Sequence, residues 1–154
     1  MHSFLKFWAP VILWAVLISL FSTDQFSSSN TSRIIGPLVA WLIPNASPEL
    51  QETIHHAIRK LGHWTEYFVL AWLVLRGFEG EPKRRLRRHW MAWTLALVLL
   101  YALGDELHQA FVPTRSARLA DSMVDFLGGF CAVTWKYLRQ SRSEEDLGKD
   151  EEAF

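Results

Sequence analysis

A chain of 154 residues, half of them hydrophobic and including eight Trp and ten Phe, with its charges gathered into a few short blocks, has the composition of a membrane protein. Sixteen Lys and Arg balance sixteen Asp and Glu, so net charge carries no nucleic-acid signature. The single cysteine, Cys131, excludes an intramolecular disulfide and, lying in an apolar run, reads as a small packing residue.

Residues 4–22, FLKFWAPVILWAVLISLFS, are apolar enough to cross a hydrocarbon core, which needs about 20 helical residues. Trp8, Pro10 and Trp14, with no A-x-A site behind them, favour a retained spanning helix over a cleaved leader. A polar stretch, 23–33, precedes IIGPLVAWLIP at 34–44, which Pro37 interrupts and Pro44 closes. Such a run is too short to span, so it is expected in the interface or dipping inward, with Trp41 at headgroup depth. Residues 47–59 read as a separate short amphipathic helix with His55 and His56 exposed to solvent.

The second span is expected at 61–78, the third at 90–110 and the fourth at 122–138. Between the second and third lies RGFEGEPKRRLRRH (76–89), whose six Lys and Arg make it cytoplasmic by the positive-inside rule. The connection between spans three and four, with Pro113, Arg115 and Arg118, then lies outside, and both termini lie inside. The resulting fold class is an all-α integral membrane four-helix bundle with an interfacial or re-entrant segment between helices one and two. One membrane domain fills 1–140, and 141–154 form an acidic cytoplasmic tail expected to be disordered.

This topology puts the start of span two, the end of span three and the start of span four at one depth. At 3.6 residues per turn, Lys60, His63, Glu66 and Tyr67 share a face of the second span. Asp105, His108 and Gln109 share a face of the third, flanked by Glu106. Asp121 and Asp125 stand one turn apart on the fourth, in a stripe continued by Gly128 and Ala132, small enough for close packing. Ionisable groups in spanning helices cost roughly 2.5 to 3.5 kcal/mol each, so they pair. A salt-bridged plug that locks the helices together explains one or two pairs. It strains to explain Glu66, Asp105, Glu106, Asp121 and Asp125 against the two nearby cations Lys60 and Arg115, and that surplus of negative charge points to a functional site.

A divalent metal ion would absorb the surplus. His63-x-x-Glu66 and Asp105-x-x-His108 both have the i, i+3 spacing by which one helix offers two ligands, as in di-metal carboxylate bundles, and mixed N and O donors suit Zn, Mn or Fe. Short His/acid spacings also arise by chance. The alternative without metal has burial keeping some acids protonated, with His63 or His108 as a general base beside them.

RKLGHWTEY (59–67), DELHQAFVPTR (105–115) and the D-x-x-x-D of Asp121 and Asp125 followed by Gly128 and Gly129 resemble the VanZ-like family of small bacterial membrane proteins, over nearly the whole chain. The resemblance implies several membrane helices, location in a bacterial cytoplasmic membrane and a link to low-level resistance to the glycopeptide teicoplanin. It assigns no reaction. Carried over on the matching positions are Lys60, His63, Glu66, Tyr67, Asp105, Glu106, His108, Gln109, Arg115, Asp121 and Asp125.

Two functions stay open. In one, a non-enzymatic cell-envelope protein binds a lipid or glycan headgroup, with Lys60, Tyr67, Gln109, Arg115 and Asp121 contacting it. In the other, a membrane-embedded hydrolase or transferase acts on a lipid-linked envelope precursor. His63, Glu66, Asp105, Glu106, His108 and Asp125 would carry the chemistry, with His63, Glu66, Asp105 and His108 as metal ligands. Expected partners are membrane lipids or lipid-linked envelope glycans and no nucleic acid. A transporter would need a homo-oligomer, since four short helices without a repeat offer little for alternating access.

Overall fold

Apolar runs broken by short polar blocks give helices joined by short connections. The computed structural model describes the backbone of residues 2–23, 28–80, 88–112 and 119–152, with side chains within 4–23, 30–80, 88–112 and 120–143. The described residues form five helices and no strand: α1 (His2–Phe21), α2 (Ser28–Leu42), α3 (Pro48–Glu79), α4 (Trp90–Ala110) and α5 (Leu119–Glu152).

α3 is the central element and touches each of the other four. Ser47 caps its N-terminus by accepting a bond from the Leu50 N–H at 3.3 Å, and Pro48 enters the first turn, where its missing N–H would be unsatisfied anyway. Its buried residues Tyr67, Leu70, Ala71, Val74, Leu75 and Phe78 recur at helical spacing. Of these, Tyr67, Leu70 and Ala71 meet Ile18 of α1, Val98 and Ala102 of α4 and Ala132 of α5 in one core. Trp14 of α1 donates its indole N–H to the Glu66 carbonyl at 2.9 Å, and Tyr101 of α4 bonds the Ala15 carbonyl and Ser19, so α1 is tied to both neighbours by polar contacts within an apolar interface.

Two adjacent glycines set the position of α5. A Cβ on Gly128 would lie 2.2 Å from the Trp64 carbonyl oxygen of α3, and one on Gly129 would lie 2.6 Å from Val98 Cγ1 of α4. α5 therefore lies against the α3 main chain with no side chain between them. At the other end Trp72 and Trp135 rings stand 4.9 Å apart, Arg139 lies over Trp135, and Lys136 pairs with Glu79.

Among the described residues two helices are long and apolar enough to cross a membrane, at Phe4–Phe21 and Trp90–Ala110. Only 6% of the first window and 28% of the second are buried, unlike the core helices of a water-soluble domain. Leu13, Leu100, Leu107 and Met123 are each more than half exposed, as residues that face hydrocarbon would be. The segments 61–78 and 122–138 are helical as expected, but His63, Glu66, Arg76, Asp125 and Lys136 reduce their apolarity.

Four local expectations are corrected. The amphipathic helix at 47–59 and the segment at 61–78 are one continuous helix of 32 residues, because the only breaker between them is Gly62, and a lone glycine costs about 1 kcal/mol against Ala. Pro37 does not interrupt the run at 34–44: α2 begins at Ser28, inside the polar stretch, carries Pro37 within it and ends at Leu42. The acidic tail continues α5 to Glu152, consistent with the high helix propensity of its Glu, Leu, Lys and Arg. Cys131 is exposed rather than packed.

Candidate functional site

The polar residues gather where the end of α1, the middle of α3, the end of α4 and the start of α5 meet. On α4 the buried positions are Thr94, Val98, Ala102, Asp105, Glu106 and Gln109, one helical stripe whose last turn turns polar. At about 100° per residue this stripe leaves His108 a quarter-turn away, and His108 is exposed. Asp105 is 5% exposed. Its Oδ2 accepts from Ser22 Oγ at 2.7 Å and from Gln109 Nε2 at 3.0 Å, while its Oδ1 has no partner.

Asp125 projects from α5 one turn before Gly128 and is 1% exposed. His63 Nδ1 of α3 stands 3.3 Å from Asp125 Oδ1, close enough to attract but not aligned as a hydrogen bond, so both atoms remain buried without a hydrogen-bond partner. One ligating atom each from His63, Asp105 and Asp125 lies within 4.8 Å of the other two. Unsatisfied buried polar atoms cost roughly 1–3 kcal/mol each, and here they converge from three helices. Tyr67 is fully buried with its hydroxyl unpartnered, and Ser122 Oγ is unpartnered as well.

His63 also lines a pocket of about 280 Å³ between α1, α2 and α3, with Phe21, Thr31, Ile35, Ile58, Arg59, Gly62 and Glu66. Arg59, His63 and Tyr67 follow at i, i+4 and i+8, so they stack along one face of α3. Arg59 Nη1 is buried without a partner. Burial lowers the affinity of its guanidinium for its proton, and the Asp121 carboxylate opposes that effect.

The expected residues thus separate. His63, Asp105 and Asp125 come together, and Glu66 joins His63 at the pocket wall. Gln109 supports Asp105. Glu106 and Tyr67 are buried, Asp121 is half-buried, and Lys60 and His108 are exposed. Arg115 lies outside the described residues. Of the four metal ligands expected from spacing, the close cluster has His63 and Asp105 and takes Asp125 as its third member.

Sequence reasoning missed Arg59 and Ser22. Arg59 was legible in its i, i+4 spacing to His63, which Lys60 lacks. Ser22 carries no charge and looked like the end of an apolar run.

Chemically, two buried carboxylates and an imidazole can hold a divalent cation or exchange a proton, and the neighbouring guanidinium suits an anion. No curated protein and no solved structure matches the chain. The family model described as VanZ/LLP1 matches residues 7–139, a stretch that holds all of α2, α3 and α4 and every residue named in the site. With two apolar helices long enough to cross a bilayer, that match marks a membrane protein, and the chain belongs to the VanZ-like family.

Proposed function

We propose that this chain is a multi-pass protein of a bacterial cytoplasmic membrane, spanning it at about 4–22, 61–78, 90–110 and 122–138, with both termini cytoplasmic. The polar end of the bundle faces outward and binds the anionic headgroup of a membrane lipid or lipid-linked envelope glycan. The observation that carries this reading is that Arg59, whose Nη1 is buried without a hydrogen-bond partner, lines a pocket together with His63 and Glu66. A guanidinium pairs with phosphate oxygens in fork geometry. Phe21, Ile35 and Ile58 give the same pocket apolar walls, suited to the first methylenes of a lipid chain. Holding such headgroups at the outer face would alter the access of glycopeptide antibiotics such as teicoplanin to lipid-anchored targets, which accounts for the resistance link that the family resemblance carries.

The test is lipid binding by the purified full-length protein in detergent, comparing phosphatidic acid with phosphatidylcholine. Phosphatidic acid is expected to bind more tightly, and Arg59→Gln to weaken it by about tenfold, the equivalent of one charge-assisted hydrogen bond of roughly 1.5 kcal/mol. Equal affinity for the two lipids, or an Arg59→Gln protein that binds as wild type does, overturns the proposal. A second reading, a membrane-embedded hydrolase or transferase, is favoured by the convergence of His63, Asp105 and Asp125 beside that pocket.

A further inference from the structure

We infer that His63 Nδ1, Asp105 Oδ1 and Asp125 Oδ1 form a site for a single divalent transition-metal ion, Zn²⁺ or Mn²⁺, buried between α3, α4 and α5. The three residues offer ligating atoms within 4.8 Å of one another, a spread that small side-chain adjustments close to the separations around one ion with bonds of about 2.0–2.2 Å. Both carboxylates are more than nine-tenths buried, and Oδ1 of each is without a hydrogen-bond partner. An acidic cluster with only structural work would spend those lone pairs on neighbouring donors.

The hydrogen bonds at the rim point the same way. Ser22 Oγ and Gln109 Nε2 both bond Oδ2 of Asp105, fixing the carboxylate while leaving Oδ1 available, as partners outside the ligand shell orient a metal-bound carboxylate. Two ionised buried carboxylates with a neutral imidazole would carry a charge of about −2, which a divalent ion cancels. An imidazole with two carboxylates is a mixed N and O set, suited to Zn²⁺ or Mn²⁺ rather than to Ca²⁺ or Mg²⁺, which favour oxygen alone. His63 also lines the Arg59 pocket, so one residue would border both the ion and that space.

The site does not depend on headgroup binding. Full-length protein, purified in detergent without chelators, is analysed for metals, then stripped with EDTA and titrated with ZnCl₂ or MnCl₂ while its thermal unfolding is followed. One ion per chain and a rise in melting temperature on reloading are expected. Asp125→Asn should weaken the ion by at least about tenfold, the lower bound seen even for residues outside the ligand shell, and exposed His108→Ala should bind it as wild type does. Absence of a stoichiometric ion together with a flat thermal titration of wild type overturns the site. So does metal loss in His108→Ala equal to that in Asp125→Asn. Should Asp125→Asn fail to fold, Asp105→Asn takes its place and the wild-type titration still decides. Arg59→Gln separates the two proposals, since it should lose phosphatidic acid and keep the metal.

Discussion

Arg59 and Lys60 are neighbours in the chain, yet Arg59 lines the pocket while Lys60 is exposed, because one residue of helix turns a side chain through about 100°. Choosing between such neighbours needs the direction of the core, which the apolar residues Tyr67, Leu70, Ala71 and Val74 already encode. The same logic demotes His108, whose i, i+3 spacing to Asp105 was attractive while its phase relative to Val98 and Ala102 was wrong. Tyr67 makes the residue-scale prediction sharp. Its hydroxyl is buried without a partner, and such a group costs roughly 1–3 kcal/mol. Tyr67→Phe should therefore leave the melting temperature unchanged or raise it. A fall of several degrees in detergent would mean that the hydroxyl holds a bond worth keeping.

At the scale of elements, the packing of α5 was legible in the pairing of Gly128 with Ala132, and Gly128 does meet the α3 backbone. Gly128→Ala should destabilise the protein by about 1–3 kcal/mol through overpacking, whereas Gly104→Ala, where an added Cβ has nothing within 4 Å, should be neutral or slightly stabilising. Paired thermal melts check both. The long α3 was not legible, since a polar segment followed by an apolar one looks like two elements when each is judged by its own composition. The chain simply has no strong stop between them.

α2 docks on α3 through Thr31 Oγ1 and His55 Nε2 at 3.2 Å. Burial, with Arg59 and then His56 adding to it, holds His55 below the usual imidazole range near 6.5. A lowered folded value means that the unfolded state takes up the proton first, so this contact contributes above pH of about 6.5 and weakens as pH falls below it. Spin labels on exposed Ile34 and Ile58 should report a broader distance distribution at pH 5 than at pH 7, and His55→Gln should remove that difference. A distribution independent of pH in wild type would contradict the assignment.

For the whole molecule, the positive-inside argument predicts that a cysteine at Lys83 is protected from an impermeant reagent added to intact cells and that one at Thr114 reacts. Because Cys131 is exposed, these probes belong in a Cys131→Ser background. Labelling at Lys83 from outside would reverse the orientation of the polar end. Counting spans gives the expectation that the start of span two, the end of span three and the start of span four share one depth, and the structure brings His63, Asp105 and Asp125 of those segments together. Which acids converge, and which merely share the depth, depends on helix rotation and spacing that no pairwise spacing in the sequence states.

The contact of Gly128 with the Trp64 carbonyl also bears on what this family can change. Trp64 follows His63, and Gly128 lies one turn from Asp125, so the gap between these two polar side chains is gauged by main chain against main chain. Rotamer changes move the two side chains only within the space that this backbone approach leaves. Discrimination between ions or headgroups of different radius would then be inherited from the glycine, and a relative with Ala or Ser at that position should keep the same polar residues while preferring a larger guest.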